Sequence, residues 1–127
     1  MKLKGKPIVP GTAKAQPIIS ELPISFLGDI DPETGTIIDK NNPLRGESIV
    51  GKILVFPCGK GSTVGSYILY QLAKNKKAPA AIINEEAEAI VVVGSIISEI
   101  PMLDGIAISK IPQKEILVNA DEGFIEF

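Results

Sequence analysis

The chain has no histidine and no tryptophan, and its only cysteine is Cys58. Without an imidazole it can build neither a Ser-His-Asp nor a Cys-His nucleophile pair, no histidine-based zinc site and no phosphohistidine carrier. A lone cysteine cannot close an internal disulfide, which fits a reducing compartment. Aromatic residues are few, four phenylalanines and two tyrosines. Charge of one sign is not in excess either: 13 basic and 15 acidic residues are interspersed for a net charge of −2. That leaves no electrostatic footprint for nucleic acid or for an anionic membrane surface. The longest apolar run, residues 89–93, is far short of the roughly 20 residues that span a bilayer. No apolar h-region follows Met1-Lys2-Leu3-Lys4. The expectation is a cytoplasmic protein with neither nucleic acid nor membrane as partner.

What is present points to a sheet. The 127 residues, 45% of them hydrophobic, suit one domain over residues 1–127, large enough to bury about two-thirds of its unfolded surface. The abundant valine and isoleucine favour pleated, half-buried positions. Short strand-like stretches fall at residues 8–9, 17–20, 36–38 and 53–56, separated by turn signals. Asp31-Pro32-Glu33-Thr34-Gly35 and Asn41-Asn42-Pro43-Leu44 are two of these signals, because Asp-Pro and Asn-Pro initiate turns. Lys52 leads into the apolar run 53–56, the pattern of a strand covered on both faces. Val64, Ile68, Leu69 and Leu72 then recur at helical spacing in a stretch opened by Ser62-Thr63, and predict an amphipathic helix to about Lys74. Residues 80–83 read as a second buried strand, completing a βαβ unit. Residues 85–93 fit either helix or strand. Residues 106–109, 115–119 and 123–127 read as closing strands, the last two joined by a turn at Ala120-Asp121-Glu122.

Between the buried strand and the helix lies Cys58-Gly59-Lys60-Gly61-Ser62-Thr63. A glycine loop opening a helix exposes backbone N–H groups and the positive end of the helix dipole, so anions favour it. It is not a Walker A motif, since no Gly-Lys-Ser/Thr triplet occurs, nor a G-x-G-x-x-G fingerprint, since Val64 stands where the third glycine belongs. Ser62 has two readings on its own pattern. Its hydroxyl can cap the helix, which stabilises by about 1 kcal/mol. Alternatively, the same N–H groups, the dipole and Lys60 can stabilise its alkoxide, giving a base that needs no histidine. Cys58 alone cannot build a metal site, and Glu85, Glu86 and Glu88 read as a solvated turn or a helix start.

Several segments in this order and spacing resemble the small subunit of the aconitase X family: Ser25-Phe26-Leu27-Gly28, residues 31–35, Asn42-Pro43-Leu44-Arg45-Gly46, residues 51–55, Gly59-Lys60-Gly61-Ser62-Thr63-Val64-Gly65-Ser66 and residues 78–83. The resemblance covers most of the chain. It implies an α/β fold, a swivelling β/β/α domain like the mobile domain of aconitase, with a β-barrel-like sheet and a βαβ unit. It also implies a hydro-lyase that acts only with a large catalytic subunit. In archaea that enzyme dehydrates mevalonate 5-phosphate to trans-anhydromevalonate 5-phosphate. The large subunit would hold a [4Fe–4S] cluster through its own cysteines, acting as Lewis acid on the leaving hydroxyl, and this chain would hold no metal.

Within this chain the family's catalytic serine falls on Ser62, with Lys60, Gly61 and Thr63 as expected substrate contacts. Lys60 stands where the family commonly has arginine; it keeps the charge but lacks the planar fork for bidentate contact. Asn41-Asn42 stand where the family often has histidines before Pro43. Two alternatives stand beside this reading: a related dehydratase of another hydroxy acid such as cis-3-hydroxyproline, and a non-catalytic interaction module in which Ser62 only caps a helix.

Overall fold

The computed structural model describes residues 1–61 and 63–127. The chain begins with four short strands that alternate between two sheets: β1 (Lys2–Lys4), β2 (Lys6–Val9), β3 (Thr12–Ala15) and β4 (Pro17–Ile19). A long segment, residues 20–52, contains only one short helical piece, α1 (Phe26–Asp29), whose Leu27 and Gly28 have non-helical dihedrals. Then follow β5 (Ile53–Phe56), α2 (Gly65–Lys74), β6 (Ala81–Asn84), α3 (Ala89–Ile97), β7 (Met102–Asp104), a 3-10 turn at Ile108–Lys110, β8 (Ile116–Asn119) and β9 (Phe124–Glu126).

The pairing gives a five-stranded sheet in the order β2-β7-β6-β5-β4 and a four-stranded antiparallel sheet in the order β1-β9-β8-β3. In the first sheet β4, β5, β6 and β7 are parallel neighbours, and β2 runs antiparallel to β7 at the edge. The expected βαβ unit is therefore present as β5-α2-β6, and β6-α3-β7 repeats it. The pairing forms two separate ladders, and their edge strands are joined by chain corners, β1 to β2 at Gly5 and β3 to β4 at Gln16.

The five-stranded sheet separates two apolar volumes. Because successive strand side chains point to opposite faces, β5 sends Leu54 and Phe56 toward the helices and Ile53 and Val55 toward the other sheet, and all four are fully buried. Leu69 and Leu72 of α2 and Val91 of α3 close the helical side. Ile116, Val118 and Ile125 of β8 and β9 close the other. The result is a β/β/α arrangement of layers, as expected.

Several local expectations need correction. Residues 36–38 do not form a strand but make isolated bridges, Ile30 with Ile37 and Thr36 with Ser48. The whole 20–52 segment is a cover whose Ile24, Phe26, Ile30, Ile37 and Ile49 reach the helical-side core. Its two turn signals act as expected, with Asp31 Oδ1 accepting from Glu33 N and Asn42 Oδ1 from Leu44 N. The strand expected at 106–109 lies earlier, at Met102–Asp104, because Gly105 adopts φ +79° and ends it. Ile106 and Ile111 then serve as apolar plugs for the second core. The ambiguous 85–93 stretch resolves into α3, started by Glu88, whose carboxylate accepts from Ile90 N and Val91 N. Strands β1 and β3, too short and too charged to stand out, were not foreseen.

The two long helices touch at Gly94, where an added Cβ would lie 2.9 Å from Leu69 Cδ2 and 3.2 Å from the Ser66 Cα. Gly94→Val should therefore destabilise the protein by about 1–3 kcal/mol, as overpacking does, read as a lower urea midpoint with an unchanged m-value.

Candidate functional site

Parallel α/β sheets bind ligands outside the carboxyl ends of their strands, and the glycine loop lies there, directly after β5. Its position is set by backbone bonds on both sides. Pro57 O accepts from both Glu85 N and Glu86 N, tying the loop to the end of β6. On the other side Ile24 N donates to Cys58 O, and Lys60 N donates to Ile24 O, at 3.2 and 3.1 Å. Asn84, fully buried at the end of β6, donates through Nδ2 to Phe56 O at 3.0 Å. Its Oδ1 is buried without a partner among the described residues.

Gly59 is buried beneath the start of α3: a Cβ there would lie 2.5 Å from Val91 Cγ2 and 2.7 Å from Glu88 Oε1. Glycine is thus required by close approach. Gly61 requires it for a different reason, a φ of +95° that L side chains rarely adopt. Lys60, Gly61 and Thr63 are all exposed, so three of the four expected site residues share one solvent-facing loop. The fourth, Ser62, in its readings as cap and as base, lies outside the described residues. Thr63 turns into α2, its carbonyl accepting from Ser66 Oγ at 3.0 Å. A groove of about 280 Å³ opens beside it, bordered by Thr63, Ser66, Ala89, Ile90 and Val93. The loop thus offers an exposed cation, exposed backbone and a hydroxyl at the N-terminal side of a ten-residue helix, a setting suited to anionic groups.

Sequence reasoning missed three contributors. Asn84 ends an otherwise apolar strand, and that placement was its only signal. Glu88 is the helix start that was one of its two readings, capping α3; its place in the floor under Gly59 had no signal in the sequence. Ser25 lies against Gly61 and was noticed only within a longer resemblance. The second turn is structural at its centre: Asn42 is 4% exposed and donates to Ser20 Oγ at 3.0 Å. Cys58 is half-buried and free. Among the described residues no group of three or more His, Cys, Asp or Glu side chains is placed to hold a metal, and one thiol falls short of the several thiolates that hold an iron–sulfur cluster. Among the same residues no helix is long and apolar enough to cross a membrane.

A layered β/β/α domain with a glycine loop at the carboxyl edge of its parallel strands defines a swivel domain. This chain belongs to the aconitase X swivel-domain family, whose model matches residues 2–127. It is 58% identical, over 99% of its length and 96% of the relative's, to a protein of Thermococcus kodakarensis named phosphomevalonate dehydratase small subunit. A protein of the same name from Methanosarcina mazei is 54% identical, over 99% and 90% of the two chains. The crystal structure of Thermococcus kodakaraensis aconitase X, holo-form, superposes with a TM-score of 0.97 at 57% identity and covers 99% of this chain and 97% of that one.

The cap that sets the loop's floor can be tested directly. Glu88→Ala should cost about 1 kcal/mol, the usual loss for an N-cap, while Glu88→Asp, which keeps a capping oxygen, should lose much less. Urea denaturation of both variants measures the difference.

Proposed function

We propose that this chain, as one swivel domain over residues 1–127, is the small subunit of a cytoplasmic heteromeric hydro-lyase. It dehydrates mevalonate 5-phosphate to trans-anhydromevalonate 5-phosphate and is active only with its large subunit. The observation that carries this reading is the near full-length similarity to relatives named phosphomevalonate dehydratase small subunit. The glycine loop at the sheet's carboxyl edge supports it independently, because it gives an anionic substrate an exposed cation and a helix start.

In the proposed reaction the substrate loses a proton from the carbon next to its carboxylate and a hydroxyl from the adjacent carbon, and water is the second product. Ser62 takes the proton. A serine hydroxyl is a weak acid, so its alkoxide needs stabilisation from oriented N–H groups and nearby cations. Lys60 supplies one cation from this chain, and Gly61 and Thr63 contribute backbone and hydroxyl contacts to the substrate. A [4Fe–4S] cluster, held by the large subunit's own cysteines, belongs to this reading as what the resemblance to the aconitase X family implies.

Co-expression with the large subunit tests the reading. The purified complex should convert mevalonate 5-phosphate, and cis-3-hydroxyproline should not be turned over. Ser62→Ala should lower kcat by several orders of magnitude with the complex still assembled; retained turnover would remove Ser62 from the mechanism. Cys58→Ser should leave the iron content of the complex unchanged, as measured by metal analysis, and loss of iron would bring Cys58 into the cluster site.

A further inference from the structure

Ser25 sits beside the glycine loop in a conformation fixed on every side. The residue before it is stitched to the loop by the two backbone bonds described above and by the parallel bridge between Ile24 and Gly59. The residue after it, Phe26, is 2% exposed and meets Phe56 edge-on, with ring centroids 6.1 Å apart. Ser25 N donates to Asp29 Oδ2 at 2.8 Å, and Ser25 Oγ donates to Leu27 O at 2.9 Å. With its proton engaged by that carbonyl, Oγ has only acceptor capacity left. The hydroxyl occupies the place where a side chain at 61 would begin: a Cβ built on Gly61 would lie 2.5 Å from Ser25 Oγ and 3.1 Å from Ser25 Cβ.

We infer that Ser25 is a positioning residue for the proposed base: its hydroxyl is the wall against which Gly61, the residue before Ser62 in sequence, holds its positive-φ turn. The inference rests on the proposed role of Ser62 as proton acceptor. A base must lie within about 3 Å of the proton it removes, so a small rotation at Gly61 is enough to misplace it. Asp29 and Leu27 matter through Ser25: the Asp29 carboxylate holds its main chain by accepting from the backbone N–H, and Leu27 O holds its side chain by accepting from the hydroxyl. Ser25 touches no reacting atom in this scheme.

The test uses the assembled complex with Ser25→Ala, read by steady-state kinetics, by thermal unfolding and by amide hydrogen exchange across residues 59–63. Removing the wall should lower kcat by about 10- to 100-fold, the scale expected for misplacement of a catalytic group, with KM and unfolding temperature close to the wild type. Exchange at 59–63 should be faster. Ser25→Thr, which restores the hydroxyl, should recover part of the lost kcat. Wild-type kcat and unchanged exchange in Ser25→Ala would overturn the inference, as would a kcat loss matched by a lower unfolding temperature or by loss of assembly. If the wild-type complex does not dehydrate mevalonate 5-phosphate, the proposed function fails, while the exchange measurement still decides whether Ser25 holds the loop.

Discussion

The arrangement around the candidate site depends on a hydrogen-bonded seam that continues past the end of the parallel sheet. Where β5 stops, its pairing does not: Pro57 O takes two N–H groups from the end of β6, and Cys58 and Lys60 exchange backbone bonds with Ile24. A glycine loop in isolation has many conformations and a correspondingly large entropy cost on ordering. Held between two neighbouring segments, it has few. Gly59 pressed beneath α3 and Gly61 pressed against Ser25 show the same constraint at the level of side chains, because each glycine is needed where a neighbour leaves no room for a β-carbon.

The parts of the fold that sequence revealed were those with strong local chemistry. The run Ile53-Leu54-Val55-Phe56 identified a strand covered on both faces, and it divides its side chains between two cores. The apolar spacing of Val64, Ile68, Leu69 and Leu72 located α2 and its end at Lys74. Asp31-Pro32 and Asn42-Pro43 located turns because their side chains bond their own backbone. What escaped notice was defined by distant partners. β1 and β3 are strands because β9 and β8 pair with them, although their own residues alternate with lysines. The apolar residues 106–108 carry strand propensity, but Gly105 and the bond from Ile108 N to Glu85 Oε2 override it.

The site was legible to the same degree and for the same reason. Lys60, Gly61, Ser62 and Thr63 are contiguous, so one motif named them all. Asn84, Glu88 and Ser25 reach the loop only through folding. Sequence spacing does not report that Glu88 both starts α3 and forms part of the floor beneath Gly59, nor that a serine near residue 25 abuts a glycine at 61.

The separation of the two cores by a single sheet has a consequence for how such a domain can diversify. Gly59 and Gly61 meet neighbours on the helical side, whereas Ile116, Val118 and Ile125 lie on the opposite face of the five-stranded sheet. Side chains on that face can therefore be repacked with a layer of buried strands standing between them and the loop.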